Sequence, residues 1–397
     1  MKKTLLALAA TTMLAGSAFA ASHSPVKIGI VLGFTGPIES ITPAMGSAAE
    51  MAMKEVTDSG KLLDGVAVES VRGDSTCVDA AAATSAAERL VTSDGVKAIM
   101  GADCSGVTGA ILQNVARPNG VVMVSPSATS PALSTAEDDG LFFRTAPSDA
   151  RQGEIVRDIL VGKGVKSIAI TYTNNDYGKG LADSIKANFE GAGGTVTISA
   201  AHEDGKGDYA AEVGALAQAG GEVLVVAGYL DQGGKGIIQG ALDTGAFDVF
   251  YLPDGMVGDA IAETIGEGLN NSYGANPGTD SPGAAKFQEM ATAAGFDGTS
   301  AFSAESYDAA ALIMLAMQAA GSSDSSALKE KVMDVANAPG EQIFPGQLAH
   351  ALEVIAAGGD VDYVGASAVE LIGPGESAGN YRELEIQGNE FTTVRFR

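Results

Sequence analysis

The sequence predicts an α/β protein of two similar doubly wound lobes, each with a parallel central sheet. Short apolar runs alternate with longer helical segments along the chain, which is typical of a parallel sheet covered by helices on both faces. This alternation stops near residues 146–148 and then starts again, so the chain has two such units. A length of 397 residues is sufficient for two domains of ordinary size.

The first twenty residues are typical of a cleaved secretion signal. Lys2 and Lys3 give a positive start, an apolar run follows over 5–16, and Ala18-Phe19-Ala20 forms an A-x-A cleavage site. The apolar run is shorter than the roughly 20 residues that a membrane span requires. Ser17 stands where a lipoprotein carries its cysteine. We therefore expect a mature protein that is free in the periplasm.

The first lobe is expected to comprise residues 21–147 and 277–380. Its predicted strands are 26–31, 66–71, 97–100 and 121–124, and its early helices are 45–58, 78–91 and a segment that ends near 115. Three later helices are assigned to the same lobe, at 283–294, 303–321 and 325–336.

The second lobe is expected to comprise residues 148–276 and 381–397. Its predicted helices are 149–162, 177–189, 209–219 and 234–242, and its predicted strands are 167–172, 195–199, 223–227 and 250–252. Two alternating strands at 381–386 and 390–397 complete it. The chain would then cross between the lobes three times, which predicts a three-strand hinge.

The charge and the cysteine content exclude several classes of partner and site. A formal net charge of −25 repels nucleic acid and anionic lipid, so we expect neither as a partner, and we expect a monomer. Cys77 and Cys104 are the two cysteines, and an even pair in an exported protein suggests one disulfide, with two free buried thiols as the alternative. Two cysteines and three scattered histidines give no metal-ligand spacing, so no metal site and no cofactor are expected.

Candidate binding residues follow the predicted strands, because ligands of parallel α/β sheets bind where strands end and helices begin. In the first lobe, Ser105 and Thr129 follow two strands and could donate hydrogen bonds to a carboxylate. Equally, Ser105 could be a helix cap and Thr129 a turn residue. In the second lobe, Tyr177, Tyr229 and Asp254 suit a ligand with an apolar part and an ammonium group, with core packing and helix capping as the alternatives.

A family resemblance decides between these alternatives. Five motifs follow Cys77 in a characteristic order and spacing: Gly101-Ala102-Asp103-Cys104-Ser105, Val124-Ser125-Pro126-Ser127-Ala128-Thr129, Asn175-Asp176-Tyr177-Gly178-Lys179-Gly180, Ala227-Gly228-Tyr229 and Leu252-Pro253-Asp254-Gly255. Together with the tail at 381–386, they resemble the leucine/isoleucine/valine-binding protein family, which comprises type I periplasmic solute-binding proteins of branched-chain amino-acid ABC importers. Each motif is weak alone, and the five in register are strong.

The resemblance implies a function and a site. It implies that Cys77 pairs with Cys104. The implied carboxylate site consists of the side chains of Ser105 and Thr129 and the backbone of Ser127 and Ala128.

On the other lobe, Tyr177 and Tyr229 would meet the ligand on closure, and Asp254 would take its ammonium group. Tyr307 aligns with a further pocket aromatic. The partners implied are an amino-acid-like ligand and the membrane permease of an ABC importer.

The sequence departs from the family pattern in one segment. Family members that bind leucine-like ligands place an aromatic residue soon after the first Gly-Pro turn, whereas this chain has Ile38-Glu39-Ser40-Ile41 and no tryptophan anywhere. Glu39 could face a polar or cationic part of the ligand, or it could be a solvated loop acid.

Three rival functions remain to be weighed. An enzyme is disfavoured because no Gly-x-Ser-x-Gly motif is present and no histidine lies near any motif. A ligand sensor for a signalling receptor could use the same fold. A binding protein for a small acid or amide that is not an amino acid would use Ser105 and Thr129 but not Asp254.

Overall fold

Two seven-stranded sheets organise the protein in the computed structural model, which describes residues 24–397. The predicted secretion signal, residues 1–20, lies outside the described residues. The strands are, in chain order, β1 Val26–Leu32, β2 Val68–Asp74, β3 Ala98–Gly101, β4 Val122–Ser125, β5 Phe142–Pro147, β6 Ser167–Thr173, β7 Thr195–His202, β8 Val223–Ala227, β9 Phe250–Leu252, β10 Tyr273–Pro277, β11 Glu341–Ile343, β12 Val361–Tyr363, β13 Leu371–Ile372, β14 Glu376–Ser377, β15 Tyr381–Gln387 and β16 Glu390–Phe396.

Helices separate most of these strands. They are, in chain order, α1 Thr42–Ser59, α2 Ala80–Arg89, α3 Ser105–Ile111, α4 Arg117–Asn119, α5 Asp149–Gly162, α6 Asp176–Gly191, α7 Ala210–Ala219, α8 Gly233–Thr244, α9 Asp259–Ile265, α10 Pro282–Ala294, α11 Ser303–Ala320, α12 Ser325–Leu328, α13 Val332–Ala336 and α14 Leu348–Ala356. Within residues 24–397, none of these helices has the length and apolar character that crossing a membrane requires.

Both sheets have the same doubly wound core. Strands β2-β1-β3-β4-β5 are parallel neighbours in the first sheet, and β7-β6-β8-β9-β10 repeat this order in the second. The first sheet is extended by β14 and β13, and the second by the antiparallel strands β15 and β16. The predicted fold class is therefore confirmed, with antiparallel strands at one edge of each sheet.

The chain passes between the two sheets three times. It leaves the first sheet after β5, returns after β10 and leaves again after β14. Strands β5 and β10 were not predicted from the sequence. Arg144 interrupts the apolar run of β5, and Asn276 that of β10, although both residues are 1% exposed. Such polar residues are buried only with partners, which a local sequence pattern does not reveal.

Local backbone chemistry sets where the site-bearing helices begin. The Ser148 side chain accepts a hydrogen bond from Ala150 N–H at the start of α5, and Asn175 accepts one from Gly178 N–H at the start of α6. At the end of β3, Gly101 has φ +132°, and a Cβ there would collide with the Val31 carbonyl. A glycine is therefore required where β3 turns into the site.

Cys77 and Cys104 form the predicted disulfide. Their Cα atoms are 5.1 Å apart, and the bond joins the segment after β2 to the start of α3 across a sequence separation of 27. Because α3 begins at Ser105, this bond lies directly beside a candidate site residue.

Replacing both cysteines, Cys77→Ser with Cys104→Ser, is expected to lower the free energy of unfolding by about 3–4 kcal/mol. Without the disulfide, the unfolded chain has more conformational entropy, which favours unfolding. Guanidinium unfolding of the double variant, with reduced wild-type protein as the control, measures this loss. Equal unfolding midpoints for the oxidised wild type and the double variant would contradict the prediction.

Candidate functional site

A small cavity lies between the two lobes, where the carboxyl ends of β3, β4, β8 and β9 approach one another. Its lining residues are Ile38, Ile41, Asp103, Cys104, Ser105, Ser127, Tyr177, Tyr229, Asp254, Gly255 and Phe302. Its volume is about 20 Å³, which is room for about one water molecule. An amino acid is far larger, so the lobes must move apart to admit one.

Five of the residues predicted from the sequence line this one cavity. They are Ser105, Ser127, Tyr177, Tyr229 and Asp254. Two come from the first lobe and three from the second, so hydroxyl groups on one wall face a carboxylate and two phenol rings on the other. This arrangement suits a small ligand with a negative end and a positive end.

Hydroxyl groups dominate the wall of the first lobe. The Ser105 hydroxyl accepts a hydrogen bond from Ser130 N–H at 3.0 Å, which leaves its own proton free to donate. The Ser127 hydroxyl donates to the Asp103 carbonyl at 3.1 Å. Ser105 is also the first residue of α3, whose N-cap, Cys104, provides no side-chain hydrogen bond. The positive end of the helix dipole therefore adds to the attraction for an anion.

Ala128 and Thr129 lie behind this wall rather than on it. The Ala128 N–H donates to Ser125 Oγ at 3.0 Å, so this predicted donor to the ligand is already engaged. Thr129 is 1% exposed, and its hydroxyl has no hydrogen-bond partner among residues 24–397. The Thr129 hydroxyl therefore remains available to a neighbouring polar group.

Asp254 provides the negative charge of the opposite wall. Its Oδ1 accepts hydrogen bonds from the Tyr177 hydroxyl and from Gly255 N–H, both at 2.7 Å, whereas its Oδ2 has no partner in the described part of the chain. Burial raises the pKa of this carboxyl group, and the hydrogen bond from Tyr177 partly opposes the rise. A buried carboxylate oxygen without a partner is costly, so Asp254 favours a bound cation.

Tyr177 and Tyr229 form an aromatic wall beside Asp254. Their ring centroids are 5.2 Å apart with an interplanar angle of 19°, and each side chain is 4% exposed. Burial raises the pKa of both hydroxyls well above the usual value, so both tyrosines stay neutral. The pair presents apolar faces with polar edges to the cavity.

The apolar end of the cavity consists of Ile38, Ile41 and Phe302. Phe302 is the aromatic residue of this end, whereas the segment after the first Gly-Pro turn contributes Ile38 and Ile41. It has a left-handed backbone, with φ 61°, directly before α11. A phenylalanine in this conformation is unusual, and no local sequence signal marks it.

Two further predicted residues do not reach the cavity. Glu39 is exposed, and its Oε2 accepts a hydrogen bond from Gly36 N–H at 3.3 Å, so it is a loop acid. Tyr307 is fully buried in the first lobe, packs on Phe287 at a centroid distance of 5.6 Å, and donates to Glu55. Its hydroxyl is thus engaged by an α1 carboxylate, and Tyr307 does not line this cavity.

Asp103 lines the cavity but has a structural role. It accepts hydrogen bonds from Gly33 N–H, from the Ser75 hydroxyl at 2.8 Å and from Cys104 N–H at 2.9 Å. Burial raises the pKa of this carboxyl group, and these donors oppose the rise. Because they come from three separate segments, Asp103 holds the ends of β1, β2 and β3 together.

A larger hollow of about 760 Å³ lies between α7 and α8 on the second lobe. Its walls include Lys206, Tyr209 and Lys235. None of the buried side-chain atoms that lack a partner in residues 24–397 belongs to a residue of this hollow. The smaller cavity between the lobes is therefore the better candidate, because its lining includes Asp254, whose Oδ2 lacks a hydrogen-bond partner in the described part of the chain.

Asp231 fastens the two lobes together beside the cavity. Its backbone N–H donates to the Pro37 carbonyl at 3.1 Å, and its Oδ2 accepts from Ser40 N–H at 2.9 Å. Pro37 and Ser40 belong to the first lobe and Asp231 follows β8 of the second, so both bonds exist only when the lobes are closed.

Asp231→Ala is expected to speed ligand dissociation by roughly 2- to 10-fold, because it removes a charge-assisted hydrogen bond of the closed form, worth about 0.5–1.5 kcal/mol at a half-exposed position. Stopped-flow dissociation measures the rate, and small-angle X-ray scattering should show a larger open fraction. Asp243→Ala, on the exposed face of α8, is the matched control. Unchanged dissociation in Asp231→Ala would contradict this role.

Comparisons with known proteins identify relatives of this chain. A family model described as "Periplasmic binding protein" matches residues 25–348. The Leu/Ile/Val-binding protein homolog 1 of Brucella melitensis is 33% identical over 345 residues, covering 83% of this chain and 89% of the relative.

Two solved structures have the same fold at low sequence identity. One is the branched-chain amino acid transporter substrate binding protein of Streptococcus pneumoniae in complex with isoleucine, with a TM-score of 0.77, 22% identity, and coverage of 94% of this chain and 99% of that chain. The other is an ABC transporter solute binding protein of R. palustris in complex with benzoate, with a TM-score of 0.75, 17% identity, and coverage of 94% and 96%.

Proposed function

The chain belongs to the periplasmic binding protein family, with Leu/Ile/Val-binding relatives, and from this premise we propose that it is the periplasmic solute-binding component of an ABC importer for a small amino acid. The observation that carries the proposal is Asp254, a buried acid whose Oδ2 has no hydrogen-bond partner within residues 24–397, across the cavity from the Ser105 hydroxyl. An amino acid supplies a charge for each wall.

In this proposal, the open protein first binds the ligand's carboxylate on the first lobe. The Ser105 hydroxyl, whose proton is free, and the positive end of the α3 dipole attract it there. Rotation about the three crossings then brings Asp254 and the two stacked tyrosines over the ammonium group. Closure is favoured because both charged ends become hydrogen-bonded as they lose water.

The proposal extends to the partners and to the organisation of the chain. The closed form docks on a membrane permease, the protein acts as a monomer, and it catalyses no reaction. The first lobe comprises 21–147 and 277–380, and the second comprises 148–276 and 381–397. The membership of β13 and β14 in the first sheet and of β15 and β16 in the second supports these boundaries.

A second candidate function is the binding of a small acid without an ammonium group. The apolar end of the cavity, with Ile38, Ile41 and Phe302, favours such a ligand as much as it favours an aliphatic amino acid. Asp254 disfavours it, because its free oxygen would then stay buried without a cation. A sensor that presents its closed form to a signalling receptor would use the same pocket.

Matched ligands separate these candidates. Calorimetric titration with L-leucine, 4-methylpentanoate and isopentylamine compares one carbon skeleton with both charged groups, with the carboxylate alone and with the ammonium alone. We expect L-leucine to bind most tightly. Tighter binding of 4-methylpentanoate would favour a binding protein for acids without an ammonium group. If the ligand binds but a reconstituted permease transports none of it, a sensor function would be favoured.

A further inference from the structure

Five buried polar side chains lie together behind the cavity, where the chain crosses between the lobes. This hinge cluster consists of Thr129, Asp149, Gln152, Asp254 and Tyr381. Each of them is at most 1% exposed. Thr129 follows β4, Asp149 and Gln152 start α5 after the first crossing, and Tyr381 starts β15 after the third. The cluster therefore joins the ligand cavity to the hinge.

The polar atoms of the hinge cluster are poorly paired. The Thr129 and Tyr381 hydroxyls, both carboxylate oxygens of Asp149, both amide atoms of Gln152 and Asp254 Oδ2 have no hydrogen-bond partner within residues 24–397. Thr129 faces Asp149, and Gln152 faces Asp254 and Tyr381, but these contacts do not meet hydrogen-bond geometry. A buried polar group without a hydrogen-bond partner costs about 1–3 kcal/mol. Several such groups at one place therefore indicate that the cluster has a function.

The cluster has two acids and no cation of its own. Arg144 is the cation that faces Asp149, but its guanidinium group is engaged by the Ala128 and Ser130 carbonyls and by Glu376. Arg151 acts on Tyr381. The other titratable groups that face Asp254 are the neutral tyrosines Tyr177, Tyr229, Tyr251 and Tyr381.

Asp149 is fully buried and neither of its carboxylate oxygens has a hydrogen-bond partner within residues 24–397, so it does not stay ionised beside a second buried carboxylate. Burial raises the pKa of Asp149 well above its usual range, and the negative charge of Asp254 raises it further. Asp254 is the member of the hinge cluster that lines the cavity. A cation that binds Asp254 would therefore compensate the second negative charge, so that both carboxyl groups can be ionised without a proton between them.

We propose that Asp149 and Asp254 share one proton when the lobes close without a cation, and that the ligand's ammonium group displaces this proton when it binds. The ammonium half of this inference rests on the proposed function. One positive charge enters the cluster and one proton leaves to the buffer, so the net charge of the cluster stays the same. Ligand capture is thereby coupled to pH.

The direction of the pH dependence follows from this exchange. Below the raised pKa the ligand must expel a proton, so affinity rises with pH, by up to tenfold per pH unit while one full proton is released. Above the raised pKa the affinity becomes constant. For the unliganded protein the sign is opposite: a carboxyl group whose pKa is raised by folding stabilises the fold at low pH and loses this contribution as pH rises through the raised value.

Calorimetry in buffers of different ionisation enthalpy counts the released protons. We expect the wild type to release close to one proton per bound L-leucine on the acidic side of the pKa of the pair, and Asp149→Asn to release none. Asp176→Asn is the matched control, because Asp176 is also the first residue of a helix with a side-chain cap but is exposed. Binding heats that do not depend on the buffer, or proton release that persists in Asp149→Asn, would overturn the proposal.

A measurement without ligand keeps this test separate from the proposed function. If L-leucine, L-isoleucine, L-valine and L-alanine all fail to bind, the proposed function fails while the shared proton can still be tested. Carboxyl carbon NMR of wild-type protein labelled at aspartate should show one buried pair that titrates well above the ordinary range. The melting temperature of the wild type should fall relative to Asp149→Asn as pH rises. Ordinary titration of every aspartate, or parallel melting curves, would refute the shared proton.

Discussion

Asp254→Asn is expected to weaken the binding of an amino acid by about 2–5 kcal/mol, or roughly 30-fold to several thousand-fold. The asparagine keeps the size of the side chain and can still accept the hydrogen bond from Tyr177, so the fold should survive. What it loses is the negative charge, and the ligand's ammonium group is then buried without a counter-charge. Calorimetric titration of the wild type and the variant with the best-binding amino acid measures the difference.

A ligand without the ammonium group provides the control for this experiment. The acid 4-methylpentanoate has the leucine skeleton and makes no ion pair with Asp254, so the variant should bind it at least as tightly as the wild type does. The two ligands and two proteins form a double-mutant cycle that isolates the ammonium contact. Equal affinity of the wild type and the variant for the amino acid would show that Asp254 does not bind the ammonium group.

The strand-end rule explains why much of the cavity could be predicted from the sequence. Ser105, Ser127 and Tyr229 each follow an apolar run that is easily recognised, and parallel strands bring their carboxyl ends to one edge of a sheet. Phe302 could not be found in this way, since its place depends on a left-handed residue before α11. The family resemblance does not indicate Phe302 either, because none of the motifs that carry it includes this residue.

Asp149 shows a second limit of sequence reasoning. An acid in the first turn of a helix is ordinarily explained by the helix dipole and is exposed. Asp149 is instead fully buried, because β15, which enters from the end of the chain, places Tyr381 against the first turn of α5. Burial of this kind depends on contacts between segments more than 200 residues apart, which no local pattern reports.

Contacts between distant segments also explain why strand β5 could not be predicted from the local sequence pattern. Arg144 stands in the middle of β5, is 1% exposed and pairs with Glu376 of β14. Its guanidinium group also donates to the Ala128 and Ser130 carbonyls, both at 2.9 Å. It thus holds the loop after β4, which carries Ser127, against the sheet. A buried cation in this strand is tolerated because four acceptors converge on it, the fourth being the Ser134 hydroxyl.

Arg144→Met is therefore expected to lower the free energy of unfolding by about 3–5 kcal/mol, because it leaves the Glu376 carboxylate without its cation and two buried carbonyls without their donor. Affinity for the ligand's carboxylate should fall as well, since the loop that carries Ser127 loses its anchor. Guanidinium unfolding measures the first effect, and titration with the preferred ligand well below the unfolding midpoint measures the second.

Two further variants separate the buried ion pair from charge effects in general. Arg157→Met removes the same side chain from a half-exposed pair with Asp158 and should cost less than about 1 kcal/mol. Combining Arg144→Met with Glu376→Met should recover part of the lost stability, because no buried charge is then left unpaired. If Arg144→Met were no more destabilising than Arg157→Met, the loop after β4 would have to be held by its own Ser125 and Ser130 contacts, and Arg144 would not be its anchor.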